Sequence, residues 1–316
     1  MPARATSSAQ RPTPHHAASH TPASVPDPRH VRRALLAWFP SHRRDLPGRE
    51  IRDPWRVLVL EVMSQQTQIE RCLAARDLFC ARFPSPASLA AASPADAVRA
   101  WAGLGYNRRA LALRAAAQRI VDCHGDRVPA DVAALDELPG IGPYTARAVA
   151  ARAFGIAAIP VDVNVRRVFG RLLGATDPRM IESFGDAVAE DDGAAPWPGD
   201  LADALMDLAA GVCRAKDPGC PDCPLADSCA FLASGLPEGP RPGLARTAAQ
   251  PFRVTRRWLR GQLLRELRLA PAGTWTTVEG GRGAHGHAAV REALDTLASE
   301  GFVEIDGKGR ARLAET

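Results

Sequence analysis

Four of the seven cysteines in this chain form a group whose spacing could bind a metal centre. Cys213, Cys220, Cys223 and Cys229 are separated by six, two and five residues. Four thiolates in a short loop can enclose a tetrahedral zinc ion or the four irons of a [4Fe–4S] cluster. Zinc sites more often combine two close pairs of cysteines, and this loop has a single close pair. The spacing therefore fits the four corners of a cube somewhat better.

A glycine turn between two helical patterns could bind phosphate. The turn Leu138–Gly142 contains Gly140 and Gly142, and Tyr144 and Thr145 follow it. Two glycines allow a tight hairpin, and the backbone N–H groups at the start of the next helix can bind a phosphate oxygen without a charged side chain. The segment predicts a helix–hairpin–helix element, which binds DNA without reading its sequence.

A single carboxylate lies about twenty residues beyond this turn, within the apolar segment Val161–Val168. Asp162 stands there at a predicted helix start. Taken alone, the segment fits an N-cap carboxylate and a catalytic carboxylate equally well.

Together these residues resemble the helix–hairpin–helix DNA glycosylase superfamily that contains endonuclease III. The resemblance extends over roughly residues 30–232. It implies that Asp162 is catalytic and that the four cysteines hold a [4Fe–4S] cluster. The expected fold is mainly α, with two lobes, an iron–sulfur loop and a small winged-helix-like C-terminal domain.

Within the superfamily, the segment Glu61–Gln68 resembles the adenine DNA glycosylase (MutY) family. The resemblance implies that Glu61 is a general acid and that Tyr106, in the segment Leu104–Arg108, inserts into the base stack. The residues expected to contact DNA are Gln65, Gln66, Thr67, Tyr106, Gly140, Gly142, Tyr144 and Thr145. Longer members carry a nudix-like C-terminal domain that inspects 8-oxoguanine, for which the last ~65 residues of this chain are too few.

Arg49 and Asp203 are the residues expected in the base pocket. Asp203 lies ten residues before Cys213, where family members can place Glu or Gln against the base. A carboxylate acceptor suits the N6 amine of adenine, as it would the amine of cytosine, but not O4 of thymine. The alternative is a solvated helix carboxylate, because Asp207 follows at helical spacing.

Two positions depart from the family pattern. Gly48 replaces a tryptophan, so we expect the loss of a ring that would stack near the flipped base, an interaction worth about 1–3 kcal/mol. Asn107 replaces a second tyrosine. Both departures are expected to bear on base discrimination.

The expected mechanism uses two carboxylates in opposite protonation states. Glu61, flanked by Leu60 and Val62, would be protonated and would donate to N7 of the leaving purine. Asp162, ionised, would stabilise the cationic sugar either electrostatically or as a transient nucleophile. The spacing leaves both modes open.

The lysines bear on whether the strand is also cut. Of the 40 basic residues, only Lys216 and Lys308 are lysines, and bifunctional relatives carry a lysine where Tyr144 stands. We therefore expect base removal without efficient strand cleavage.

Two other functions remain open at this point. One is a G·T or G·U mismatch glycosylase of the same superfamily, against which the segment Gln65–Thr67 and Glu61 favour adenine. The other is a non-catalytic iron–sulfur DNA-binding regulator, against which the presence of both Glu61 and Asp162 argues.

Helical periodicity runs through most of the chain, and strand-like alternation is nearly absent. Residues 1–27 are predicted to be a disordered tail and 28–232 the glycosylase domain, with a six-helix lobe at about 56–160 and an iron–sulfur lobe formed by 28–55 and 161–232. Residues 233–252, rich in Pro and Gly, are a predicted linker. Residues 253–316 contain two helical patterns and a terminal hairpin around Asp306–Gly309, which predicts a winged-helix-like domain.

Composition restricts the partner and the location. The net charge of +5 permits a polyanionic partner. No apolar run is long enough to cross a membrane and the N-terminus lacks a secretory signal. We expect a monomer in the cytoplasm, associated with the nucleoid, whose partner is double-stranded DNA containing a mismatch or an oxidised guanine.

Overall fold

The computed structural model describes residues 25–190, 198–235 and 251–316. Most of the predicted N-terminal tail and of the predicted linker lies outside these ranges. The described part is mainly helical, as predicted from the sequence, and its strands form one antiparallel hairpin.

The first group of helices packs around a core that contains Trp55, Phe79 and Trp101. Its seven helices in the described part of the chain are α2 (Pro54–Ser64), α3 (Ile69–Arg82), α4 (Pro86–Ala90), α5 (Pro94–Ala100), α6 (Arg108–His124), α7 (Val132–Asp136) and α8 (Pro143–Phe154). Several begin with proline after a serine or aspartate that caps the helix, as Asp53 does by accepting from the backbone N–H of Arg56. These local signals fix where the helices start.

A second group combines the start of the chain with the segment after α8. It comprises α1 (Pro28–His42), α9 (Val163–Leu173), α10 (Pro178–Ala189), α11 (Pro198–Gly211) and α12 (Ala230–Ser234). Their core contains Val31, Phe169 and Leu205, and Cys213, Cys223 and Cys229 pack against it. Because α12 continues to Ser234, ordered helix extends two residues into the predicted linker.

The C-terminal residues form a third cluster. It contains α13 (Arg256–Leu269), α14 (His287–Ser299), β1 (Val303–Ile305) and β2 (Ala311–Leu313). Buried residues of α5 belong to the same cluster. The backbone N–H of Ala95 donates to the carbonyl of Ala314 at 2.8 Å, and Arg268 Nε donates to the carbonyl of Val98 at 3.0 Å. These contacts attach the C-terminal unit to the first helical group at α5.

Among the described residues, the helices are too short or too polar to cross a membrane.

Candidate active site

Glu61 is the acidic residue on α2, a helix whose other residues from Val57 to Met63 are mostly buried and apolar. The residue is 8% exposed. Burial raises the pKa of Glu61, while the charge of Arg152 lowers it and that of Asp203 raises it. The environment thus favours the protonated acid to the extent that burial outweighs the nearby guanidinium.

Arg152 connects Glu61 to Asp203. Its Nη1 donates to Glu61 Oε1 at 3.0 Å, and its Nη2 donates to Asp203 Oδ1 at 2.8 Å. The contact brings α2, α8 and α11 to one point. Sequence reasoning did not single out Arg152. The available signal was an arginine that interrupts the buried, alanine-rich face of α8.

Asp203 and Asp207 are both buried, so neither is a solvated helix carboxylate. Arg49 donates to both oxygens of Asp207, at 2.9 and 2.7 Å. Its Nε lies 3.3 Å from Asp203 Oδ2. Although burial alone would raise it, hydrogen bonds from Arg49 and Arg44 hold the pKa of Asp207 below its ordinary value. Arg49 therefore holds the two buried carboxylates of α11, with its terminal nitrogens engaged by Asp207.

Asp162 is the N-cap of α9. Its Oδ1 accepts from the backbone N–H groups of Asn164 and Val165, both at 2.8 Å, and its Oδ2 accepts from Asn164 Nδ2 at 2.7 Å. The capping interpretation is therefore correct as local structure. It does not exclude chemistry, because the side chain is only partly buried and a carboxylate keeps further lone pairs.

The Tyr144 hydroxyl lies within electrostatic reach of both predicted catalytic carboxylates. Burial raises the pKa of its hydroxyl, and the charges of Glu61 and Asp162 raise it further. Both acids, and Asp203, are therefore close enough to act electrostatically on the Tyr144 hydroxyl. The structure therefore brings Glu61, Asp162, Asp203 and Tyr144 to one region.

The glycine turn precedes α8, as predicted. Gly140 has φ +77°, and a Cβ there would lie 2.6 Å from that of Ala112, so both backbone and space require glycine. Gly142 is the N-cap of α8. The N–H groups of Tyr144 and Thr145 fall in the first helical turn, where they have no carbonyl partner within the helix. The turn has the form expected of a phosphate site.

The glutamine turn lies beside this hairpin. Gln65 Nε2 is 3.3 Å from Thr145 Oγ1. Gln66 is exposed, with φ +58°, which places its side chain on the surface in a strained backbone conformation.

Arg109 joins the glutamine turn (Gln65–Thr67) to the segment Leu104–Arg108, whose Tyr106 is the predicted wedge in the base stack. No sequence motif singled out Arg109. Its guanidinium donates to six acceptors, which are the carbonyls of Val62, Met63, Gln65, Leu104 and Gly105 and the hydroxyl of Thr67. The same group lies 5.2 Å from the centroid of the Tyr106 ring. Tyr106 itself is 37% exposed with φ +45°.

The structure shows what surrounds Asn107 and Gly48, the two positions that depart from the family pattern. Asn107 Oδ1 accepts from Arg268 Nη2 at 2.6 Å, so this asparagine helps to hold the C-terminal unit. Gly48 has φ +91°, and a Cβ there would lie 2.7 Å from Leu73 Cδ2. A side chain at position 48 would begin toward α3. A tryptophan at this position would therefore require the side chain of Leu73 to move.

The four clustered cysteines line one small cavity together with Arg171 and Phe231. Burial, together with the charges of the other three cysteines, raises the pKa of Cys223 to about 11, so all four thiols are within electrostatic reach of one another. No three side chains in the described ranges converge as ligands of one metal ion do.

The sequence is similar to known DNA repair proteins over most of its length. A profile of the HhH-GPD superfamily base excision DNA repair proteins matches residues 59–186. The adenine DNA glycosylase of Mycobacterium tuberculosis is 40% identical over 300 residues, covering 90% of this chain and 97% of that protein.

Two thymine-specific proteins are also similar. A thymine-DNA glycosylase of Aeropyrum pernix is 32% identical, covering 64% of this chain and 93% of that protein. A solved structure of a thermostable thymine-DNA glycosylase superposes with a TM-score of 0.59 at 25% identity, covering 66% of this chain and 97% of that one. Matches to mycobacterial adenine DNA glycosylases extend over nearly the full length of both proteins, and the chain belongs to the adenine DNA glycosylase family of the HhH-GPD superfamily.

Proposed function

We propose that this chain hydrolyses the N-glycosidic bond of adenine mispaired with 8-oxoguanine or guanine in double-stranded DNA, and leaves the strand uncut. The observation that carries the proposal is the buried meeting of Glu61 and Asp203 on Arg152. It supplies a proton donor and a hydrogen-bond acceptor to one pocket, in a chain of the adenine glycosylase family.

Adenine presents a matching edge to these groups. Its N6 amine donates and its N7 accepts in the major-groove face of the base. In the proposed complex Asp203 accepts from N6 and protonated Glu61 donates to N7. A flipped base costs a few kcal/mol of lost stacking and pairing, and Tyr106 and Gln65 would fill the gap left in the duplex.

The reaction breaks the bond between C1′ and N9. Its electron pair passes to the base, which takes the Glu61 proton at N7, and positive charge remains on the sugar. The Asp162 carboxylate stabilises that charge, directly or through a transient ester. Water then adds at C1′ and releases a proton to solvent. Hydrogen bonds from Asn164 and Val165 fix the orientation of this carboxylate.

Strand cleavage would need an amine that attacks the sugar. Lys216 lies between the first two clustered cysteines, and Lys308 lies in the turn between β1 and β2. The position that holds lysine in bifunctional relatives is Tyr144. We therefore propose that the product is an intact abasic site.

We further propose that the four clustered cysteines hold a [4Fe–4S] cluster. The support is their common cavity and the family's spacing. Bound thiolates would fix the loop Cys213–Cys229 against α9, because Arg171 Nη1 on α9 approaches Cys213 Sγ at 3.4 Å. All proposed catalytic groups belong to one chain, so we propose a monomer, acting at the nucleoid in the cytoplasm.

A single-turnover assay tests the function. Duplexes carry A opposite 8-oxoguanine, A·G, T·G or U·G, and the product is treated with alkali or left untreated. We expect release of adenine from the first two, with strand breaks only after alkali. Release of thymine or uracil would establish the mismatch glycosylase instead, and duplex binding without release of any base would indicate a DNA-binding regulator.

A further inference from the structure

A groove lies between the start of α6 and the first turns of α13, beside the candidate active site. Its volume is about 510 Å³, and Gln65, Gln66 and Tyr106 contribute to its lining. The superfamily profile ends at residue 186. The α13 wall of this groove therefore has no role assigned by the family match.

The groove is strongly positive. Among its described lining residues are five arginines and no acid, the arginines being Arg108, Arg109, Arg256, Arg257 and Arg260. Glu300, behind the lining, pairs with Arg108 and Arg260. Arg256 pairs with Glu292 at 2.6 Å, where both side chains are more than half exposed. Pairs this exposed contribute little and give way to a stronger anion.

Arg257 stacks on the wedge residue. Its Cζ lies 3.8 Å from the centroid of the Tyr106 ring, and Arg109 approaches the same ring at 5.2 Å. Burial lowers the pKa of Arg109, and the charge of Arg257 lowers it further. The two guanidinium groups at the Tyr106 ring together create a positive potential, which attracts an anion. Arg109 is engaged by carbonyls, whereas Arg257 is exposed, so Arg257 is the one that can meet a phosphate.

The position of the groove indicates which strand it faces. On one side of the glutamine turn, Gln65 contacts Thr145 of the hairpin, whose amides suit the strand that carries the target base. On the other side, Gln65 and Gln66 line the groove with α13. We assign the hairpin side of the turn to the strand that carries the target base, which leaves the arginines of α13 on the side of the complementary strand.

We propose that Arg256 and Arg257 bind the phosphodiester backbone of the strand opposite the excised base, so that the C-terminal unit forms the second half of a DNA clamp. This proposal rests on the proposed function, because the duplex that the two arginines bind is the substrate of that reaction. The stacking of Arg257 on Tyr106 places this contact at the residue that enters the stack.

Salt dependence of binding measures the number of phosphates contacted. The probe is a duplex with a stable tetrahydrofuran abasic site opposite guanine, which fixes the register and needs no base release. Each phosphate contact contributes about 0.9 to the slope of log K against log salt. The double variant Arg256→Gln/Arg257→Gln should lower that slope by about two. Arg265→Gln, an exposed arginine of α13 outside the groove, is the matched control and should leave it unchanged.

Neutral phosphates assign the strand without any variant. Methylphosphonates placed near the abasic site in the opposite strand should weaken binding by the wild-type chain and add little to the loss in the double variant. The same substitution in the abasic strand should weaken both proteins equally. Arg257→Lys, which keeps the charge, should retain the wild-type slope.

Wild-type binding that ignores methylphosphonates in the opposite strand, or a folded double variant with an unchanged slope, would overturn the clamp. These results are separate from the proposed function. A chain that grips the abasic duplex as described but releases no adenine supports the clamp and refutes the adenine activity.

Discussion

Glu61 must carry a proton in the proposed reaction, and the guanidinium of Arg152 opposes that protonation. The two side chains lie 3.0 Å apart, partly out of water, where a positive neighbour favours the ionised carboxylate. Burial acts in the opposite direction and is the larger influence on the pKa of Glu61. Arg152 therefore sets the pH range over which the acid is ready to donate.

This balance gives a pH prediction. Because the active form has Glu61 protonated, the single-turnover rate should fall as pH rises through the Glu61 pKa. Arg152→Met removes the charge that lowers this pKa, so the fall should move to higher pH. Arg147→Met, on the same helix but paired with Asp186 at the surface, should leave the profile in place. If the rate of Arg152→Met fell at the same pH as that of the wild type, or at a lower pH, the assignment of Glu61 as the acid would be contradicted.

Asp162→Asn separates capping from catalysis. Asparagine caps helices about as well as aspartate, so thermal stability and duplex binding should change little. The charge on the sugar would lose its counterpart, and base release should slow by about 10²-fold or more. Asp177→Asn makes the same change at the cap of α10 and should retain full activity. Wild-type turnover in Asp162→Asn would remove Asp162 from the mechanism.

Gly48 tests whether the family's tryptophan can be restored. With φ +91° and Leu73 Cδ2 2.7 Å from an added Cβ, Gly48→Ala should destabilise the chain by about 1–3 kcal/mol, and Gly48→Trp by more, without tighter binding of the base. Gly125→Ala, at φ +58° with nothing near its added Cβ, isolates the backbone contribution in thermal unfolding. Equal losses at the two positions would show that Leu73 readily moves aside.

At the scale of elements, we expect the loop between α11 and α12 to depend on a cluster held by its thiolates. The purified chain should be brown, with iron and acid-labile sulfide in equal amounts. Cys223→Ser should lose colour and lower the stability of the fold, whereas Cys123→Ser, at an exposed cysteine on α6, should keep both. Colourless protein with one zinc ion per chain would reject the cluster.

Helices were the part of the fold most readily predicted from sequence. For α8, proline after Gly142 and the glycine after Phe154 mark both ends. The site was predicted less completely. Motif resemblance singled out Glu61 and Asp162, but no local pattern joins Glu61 to Arg152, which is 91 residues away. Contacts of that kind depend on how helices pack, and residue spacing does not encode packing.

At the scale of the whole molecule, the compact C-terminal unit should affect discrimination more than chemistry. In the clamp proposed above, this unit binds backbone phosphates, which are the same opposite any base. We expect adenine release from both A·8-oxoguanine and A·G, with a smaller rate ratio than a longer member gives in the same single-turnover assay. A ratio as large as that of the longer member would show that the compact unit reads the opposing base itself.

The guanidinium of Arg109 has a consequence for how this sequence can change. One side chain serves six acceptors, which lie at the end of α2, on the glutamine turn and on the segment Leu104–Arg108. Lysine has three donors on a single nitrogen and cannot span them. Arg109 thus couples the end of α2, the helix that carries Glu61, to the segment that carries Tyr106. A substitution that moved one of these segments would break hydrogen bonds to the other. If codon 109 were randomised and repair-competent cells were selected, the survivors should encode arginine, while codons for exposed arginines such as Arg265 diversify.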